Sequence, residues 1–92
     1  MPRTIACQVV TPTGVVFDEK VSGVKGPGFL GEFELLGRHA PYMVRLNAGR
    51  VTLHGDDGAE IFGIDIEAGF LTVAGDSCTV LVERLPEAPA AD

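Results

Sequence analysis

Apolar residues recur at every second position in short runs, and glycine, proline and aspartate separate the runs. Ile5, Cys7 and Val9 alternate with Thr4, Ala6 and Gln8, and Thr11-Pro12-Thr13-Gly14 follows. A period of two marks a strand with one buried face, and the proline and glycine that follow predict its end. Val15-Val16-Phe17 restarts an extended segment. Residues 21–25 predict another short one, and Gly26-Pro27-Gly28 predicts a turn. Residues 32–36 read as a strand with Phe33 and Leu35 on one face, and residues 43–46 as the next.

The second half alternates more cleanly. Val51 and Leu53 interleave with Thr52 and His54 before Gly55-Asp56-Asp57-Gly58, a composition that predicts a hairpin loop. In the returning strand Phe62, Ile64 and Ile66 face one way, and Ile61, Gly63, Asp65 and Glu67 the other. Ala68-Gly69 predicts a bend, Phe70-Leu71-Thr72-Val73 a strand, Gly75-Asp76 a tight turn, and Cys78-Thr79-Val80-Leu81-Val82 the last strand. About ten short strands with turns this close together predict an all-β fold, a small antiparallel β-sandwich or flattened barrel. Residues 1–85 read as that one domain, and the two prolines in residues 86–92 predict a flexible C-terminal tail.

Composition narrows the function. With 92 residues and 46% hydrophobic content the chain suits one globular domain of modest stability. A net charge of -6 argues against nucleic acid, whose phosphates require clustered Lys and Arg, and disfavours an anionic lipid surface. No apolar run nears the roughly 20 residues that cross a bilayer, so direct membrane insertion is not expected. The N-terminus lacks the apolar stretch of a secretory signal.

Candidate chemistry is sparse. Glu32 and Glu34 lie two apart on one strand, but paired carboxylates catalyse only in a desolvated cleft, which a short sandwich edge does not offer. Asp56-Asp57 lacks the further oxygen ligands of a calcium loop and reads as a turn, with His54 an exposed strand residue beside it. Ser22 and Ser77 have no nucleophile-elbow pattern. Cys7 and Cys78 sit in apolar, strand-like runs and read as buried thiols; a disulfide tying the first strand to the last stays open as an alternative. No catalytic residue, cofactor, metal or small-molecule substrate is therefore expected. A ligand-binding sandwich remains an alternative, poorly stocked with no Trp and one Tyr, Tyr42. Pro27-Gly28-Phe29-Leu30-Gly31-Glu32-Phe33 and His39-Ala40-Pro41 read instead as a loop pair shaped for another protein.

Several ordered blocks carry a resemblance. Val9-Val10-Thr11-Pro12, Pro27-Gly28 with Gly31-Glu32, His39-Ala40-Pro41 with Leu46 and Gly49, and Gly69-Phe70-Leu71 with Thr79-Val80-Leu81 follow one another at family spacing. Over roughly residues 7–85 the chain resembles the N-terminal β-sandwich domain of the epsilon subunit of F-type ATP synthase. It departs from the usual family pattern at Glu34, Gly37, Arg38, Glu67 and Ala68, and it ends where most members continue into a C-terminal helical hairpin.

The resemblance implies a non-catalytic central-stalk subunit that couples c-ring rotation to the gamma subunit during proton- or sodium-driven ATP synthesis. It implies a place on the cytoplasmic face of the bacterial inner membrane, peripheral and within the synthase. Glu32 would meet the c-ring, where ring loops carry a basic residue, and His39, Ala40 and Pro41 would form the neighbouring contact loop. Thr11 would lie in the region that meets gamma. Without the hairpin, the stretch would supply neither inhibition of ATP hydrolysis nor ATP binding.

Overall fold

A computed structural model describes residues 4–28, 31–36 and 42–86. Among these, nine strands form: β1 (Ile5–Thr11), β2 (Gly14–Val21), β3 (Gly23–Gly28), β4 (Gly31–Leu36), β5 (Tyr42–Leu46), β6 (Gly49–His54), β7 (Glu60–Ile66), β8 (Ala68–Ala74) and β9 (Ser77–Arg84).

Pairing divides them into two groups, β2-β1-β9-β8-β5 and β4-β3-β6-β7, joined edge to edge by a single register pair, Gly28 with Leu46. The alternation predicted from sequence sets which residues turn inward. Ile5, Cys7, Val9, Leu71, Val73, Cys78, Val80 and Val82 from the first sheet meet Val24, Val51, Leu53 and Ile66 from the second in one core. Each fully buried Ile or Leu contributes about 1.5–3 kcal/mol relative to an exposed one. At the opposite edge Phe17 on β2 stacks on Phe62 of β7, with ring centroids 4.8 Å apart. The result is a flattened, nearly closed barrel, in agreement with the predicted all-β sandwich.

Two sequence expectations are corrected. The architecture is not wholly antiparallel, because β1 and β9 run parallel and in register from Ala6–Ser77 to Val10–Leu81. Period-two alternation is identical for both strand directions, so residues alone carry no sign of it. Second, Gly26-Pro27-Gly28 is not a turn. It is the end of β3, with Gly26 paired to Phe33, Pro27 to Glu32 and Gly28 to Gly31. Proline is tolerated there because the β3–β6 pairing covers Gly23, Val24 and Lys25 and stops short of residue 27, so no ladder bond from residue 27 towards β6 is lost. The Pro27 carbonyl instead accepts the Asn47 N–H at 2.8 Å. The break between β2 and β3 falls at Ser22, inside the predicted 21–25 segment.

The bend expected at Ala68-Gly69 falls instead at Glu67, and those two residues open β8; the turns at 55–58 and 75–76 match expectation. Gly58 and Gly75 take positive φ of 82° and 63° in the β6–β7 and β8–β9 connections. The Gly55 N–H donates to the Ala59 carbonyl and the Gly58 N–H to the Gly55 carbonyl, which closes the first of these loops.

Candidate partner-binding surface

The strands that bury one face leave the other outward, and on the first sheet that outward face is not wholly polar. Register aligns Val15 with Val10, Val10 with Leu81, Leu81 with Phe70 and Phe70 with Arg45. Directly paired residues share a face. A row of four apolar side chains ending in one arginine therefore crosses five strands. The adjacent row reads Asp18, Gln8, Thr79, Thr72 and Met43. Val15 is 54% exposed, Leu81 43% and Met43 67%. Met43, Phe70, Thr72, Thr79 and Leu81 line a shallow apolar groove of ≈ 320 Å³. An apolar strip rimmed by polar residues is the pattern of a protein-docking surface.

Sequence reasoning missed this row, although a signal exists. Val9-Val10, Phe70-Leu71 and Val80-Leu81-Val82 are continuous apolar runs, whereas a strand with one wet face alternates. The second sheet shows the contrast. On the outward face of β6–β7, Arg50 pairs with Glu60 at 3.0 Å and with Asp65 at 3.5 Å, in open solvent.

The predicted contact residues are only partly described. Glu32 is the second residue of β4, opposite Pro27 in the register; among the described residues β4 pairs only with β3 and so forms the edge of the second sheet. Its side chain, and all of His39, Ala40 and Pro41, lie outside the described residues. The segment carrying that triplet connects β4 to β5, so it leads from one sheet into the strand that bears Met43. Thr11 is placed clearly. It is 4% exposed, and its hydroxyl donates to the Gly14 carbonyl at 3.2 Å and accepts the Thr13 N–H at 3.3 Å. That side chain holds the β1–β2 turn, and the neighbouring Pro12, Thr13, Val15 and Val16 are the exposed members of the region.

A second concavity, of ≈ 250 Å³, lies among Ser22, Gly23, Lys25, His54, Gly55, Asp56 and Gly58. Its polar groups are hydrogen-bonded within the protein. Ser22 Oγ donates to Asp56, His54 Nε2 is hydrogen-bonded to Thr52 Oγ1 at 2.8 Å, and His54 Nδ1 lies 3.1 Å from the Gly58 carbonyl. His54 thus braces the hairpin loop predicted at 55–58.

Comparison with known proteins agrees with the resemblance. Residues 4–88 match the family described as ATP synthase, Delta/Epsilon chain, beta-sandwich domain. An ATP synthase epsilon chain of Caulobacter vibrioides is 39% identical over 80 residues, 87% of this chain and 91% of that one. One from Nitratidesulfovibrio vulgaris is 35% identical over 92 residues, covering all of this chain and 67% of that one. Among solved structures, a chain of the Euglena gracilis mitochondrial ATP synthase superposes with a TM-score of 0.78 at 18% identity, over 89% of this chain and 52% of that one. At that identity the superposition speaks for the fold.

Proposed function

The chain belongs to the delta/epsilon-chain β-sandwich family of ATP synthases, and on that footing we propose that it is the non-catalytic epsilon component of an F-type ATP synthase. In this reading it sits in the central stalk, on the cytoplasmic side of a bacterial inner membrane, and couples c-ring rotation to the gamma subunit. Its contribution to proton- or sodium-driven ATP synthesis is mechanical. A closed sandwich with a single core is stiff, which a torque-bearing part requires.

The observation that carries the proposal is the row Val15–Val10–Leu81–Phe70 across the outer face of the first sheet. Gamma is assigned to that face, with the exposed residues around Thr11 at one end of the row and Arg45 at the other. The c-ring is assigned to the β3–β4 end, where Glu32 follows the Gly28–Gly31 pair, together with His39, Ala40 and Pro41. A carboxylate there would pair with a basic residue of the ring loop. Such an interfacial pair steers docking and fixes register, and its net affinity varies from case to case.

The test is co-expression with the gamma subunit of the same source. The expected result is a stoichiometric complex on size exclusion that Leu81→Asp weakens at least tenfold, with the variant's far-ultraviolet circular dichroism unchanged. Recovery of this chain as a folded monomer with no affinity for gamma would overturn the proposal.

A further inference from the structure

The inner face of the first sheet holds a cysteine pair that the proposed partner contacts do not use. Cys7 on β1 and Cys78 on β9 are direct register partners in the parallel seam. Both carry free thiols, and they are 1% and 2% exposed. Neighbouring strands lie about 4.8 Å apart, inside the roughly 4.4–6.8 Å Cα range that a disulfide spans. Because paired residues share a face, both Cβ atoms point into the same core.

The pair is not sealed from solvent on every side. The register row runs Glu19–Cys7–Cys78–Val73 across four strands. Glu19 shares the inward face of Cys7 yet is exposed, so water reaches the row from the β2 edge. Inward-pointing charge also discourages another chain from adding to that edge. From the other side, Cys78 lies just past the β8–β9 turn, where Ala74, Gly75, Asp76 and Ser77 are all exposed. The Ala6 N–H donates to the Asp76 carbonyl at 2.9 Å and ties that turn to β1. Local opening of that short turn would uncover Cys78 without global unfolding.

We propose that Cys7 and Cys78 are a redox modification site, converted by a glutathione-type disulfide into a β1–β9 cross-strand disulfide. In the first step the Cys78 thiolate attacks one sulfur of the small disulfide, forming a mixed disulfide and releasing one small thiolate. Cys7 then attacks the Cys78 sulfur, the protein disulfide forms, and the second small thiolate leaves. The two protein protons end on the two released thiols; the protein gives up two electrons and the small disulfide takes them. The order follows from access, since Cys78 adjoins the exposed β8–β9 turn and Cys7 lies inside β1. The closeness of the two thiols acts the same way: it draws Cys78 below its ordinary value against the opposing effect of burial, and with burial it pushes Cys7 up. The bond would staple the first strand to the last and enclose nearly the whole domain in one covalent loop, the arrangement that most constrains the unfolded chain.

The test equilibrates the folded, reduced chain with glutathione at stepped reduced-to-oxidised ratios. Acid quenching, denaturation and alkylation precede intact-mass measurement. The expected product is a monomer about 2 Da lighter that takes no alkyl label, and whose thermal midpoint is higher by on the order of 10 °C. Cys7→Ala, or Cys7→Val should the smaller side chain not fold, is expected to stop at one glutathione adduct on Cys78. Two labelled thiols at every ratio, intermolecular dimers in place of the monomer, or a disulfide that forms only in denaturant would each overturn the proposal. Absence of the adduct in both variants would overturn the assigned order of attack.

Discussion

Phe17 on β2 and Phe62 on β7 stack at 4.8 Å with their planes 36° apart, and this one ring pair bridges the terminal strands of the pairing path. Backbone hydrogen bonds join the two sheets at Gly28 and Leu46; on the far edge the rings do so. The barrel is closed by one backbone register pair on one side and by side chains on the other. Phe62→Ala is therefore expected to destabilise the domain by about 3 kcal/mol, and a Phe17/Phe62 double-mutant cycle in urea to show coupling of roughly 0.5–1.5 kcal/mol. Additive effects of the two truncations would show that the rings act independently.

Gly69 makes a different kind of contact. A Cβ there would lie 2.4 Å from the Leu81 carbonyl oxygen, which is backbone and part of the β8–β9 ladder. Gly69→Ala is expected to cost about 1–3 kcal/mol. At Gly63 a Cβ would meet the Arg50 and Glu60 side-chain tips, which can swing into solvent. Gly63→Ala should change stability by less than about 1 kcal/mol, since exposed ion pairs of this kind contribute little. Equal losses at both positions, read from chemical denaturation midpoints, would contradict this distinction.

The apolar row separates binding from folding. Leu81 and Met43 are exposed while Val80 and Val82 are buried. Met43→Ser is expected to leave the melting temperature within a few degrees and to weaken gamma binding severalfold, whereas Val80→Ala should lower stability by about 2 kcal/mol. Calorimetry and gamma titration on the same preparations measure both effects. A Met43→Ser variant of unchanged affinity would move the gamma contact to another face.

For the ring contact, Glu32→Arg is expected to reduce assembly onto a c-ring while the isolated domain melts as the parent does. The defect should shrink as salt is raised if repulsion between like charges is its cause. Normal assembly of the variant on native membranes would show the carboxylate to be dispensable.

Much of the scaffold is legible without coordinates because its physics is local. Alternation at Ile5-Cys7-Val9, at Val51-Leu53 and at Phe62-Ile64-Ile66 reports burial one strand at a time, and Gly58 and Gly75 report turns that require positive φ. The ordered blocks from Val9 to Leu81 indicated the family as well. Misreading Gly26-Pro27-Gly28 had an equally local cause. Turn-forming residues also end strands, and only the pairing with Phe33, Glu32 and Gly31 shows which role they play.

Read alone, the 92 residues determined an all-β sandwich, its inward-facing positions and its kinship with epsilon chains, since each follows from short-range pattern or ordered motif. Tertiary structure decided which strands became neighbours. It set β1 beside β9 in parallel, which brings Cys7 against Cys78 from opposite ends of the chain, and it aligned Val15, Val10, Leu81 and Phe70 from four separate strands into one outward row. Register between distant strands arises from the free energy of the whole packed body, and no single segment carries it.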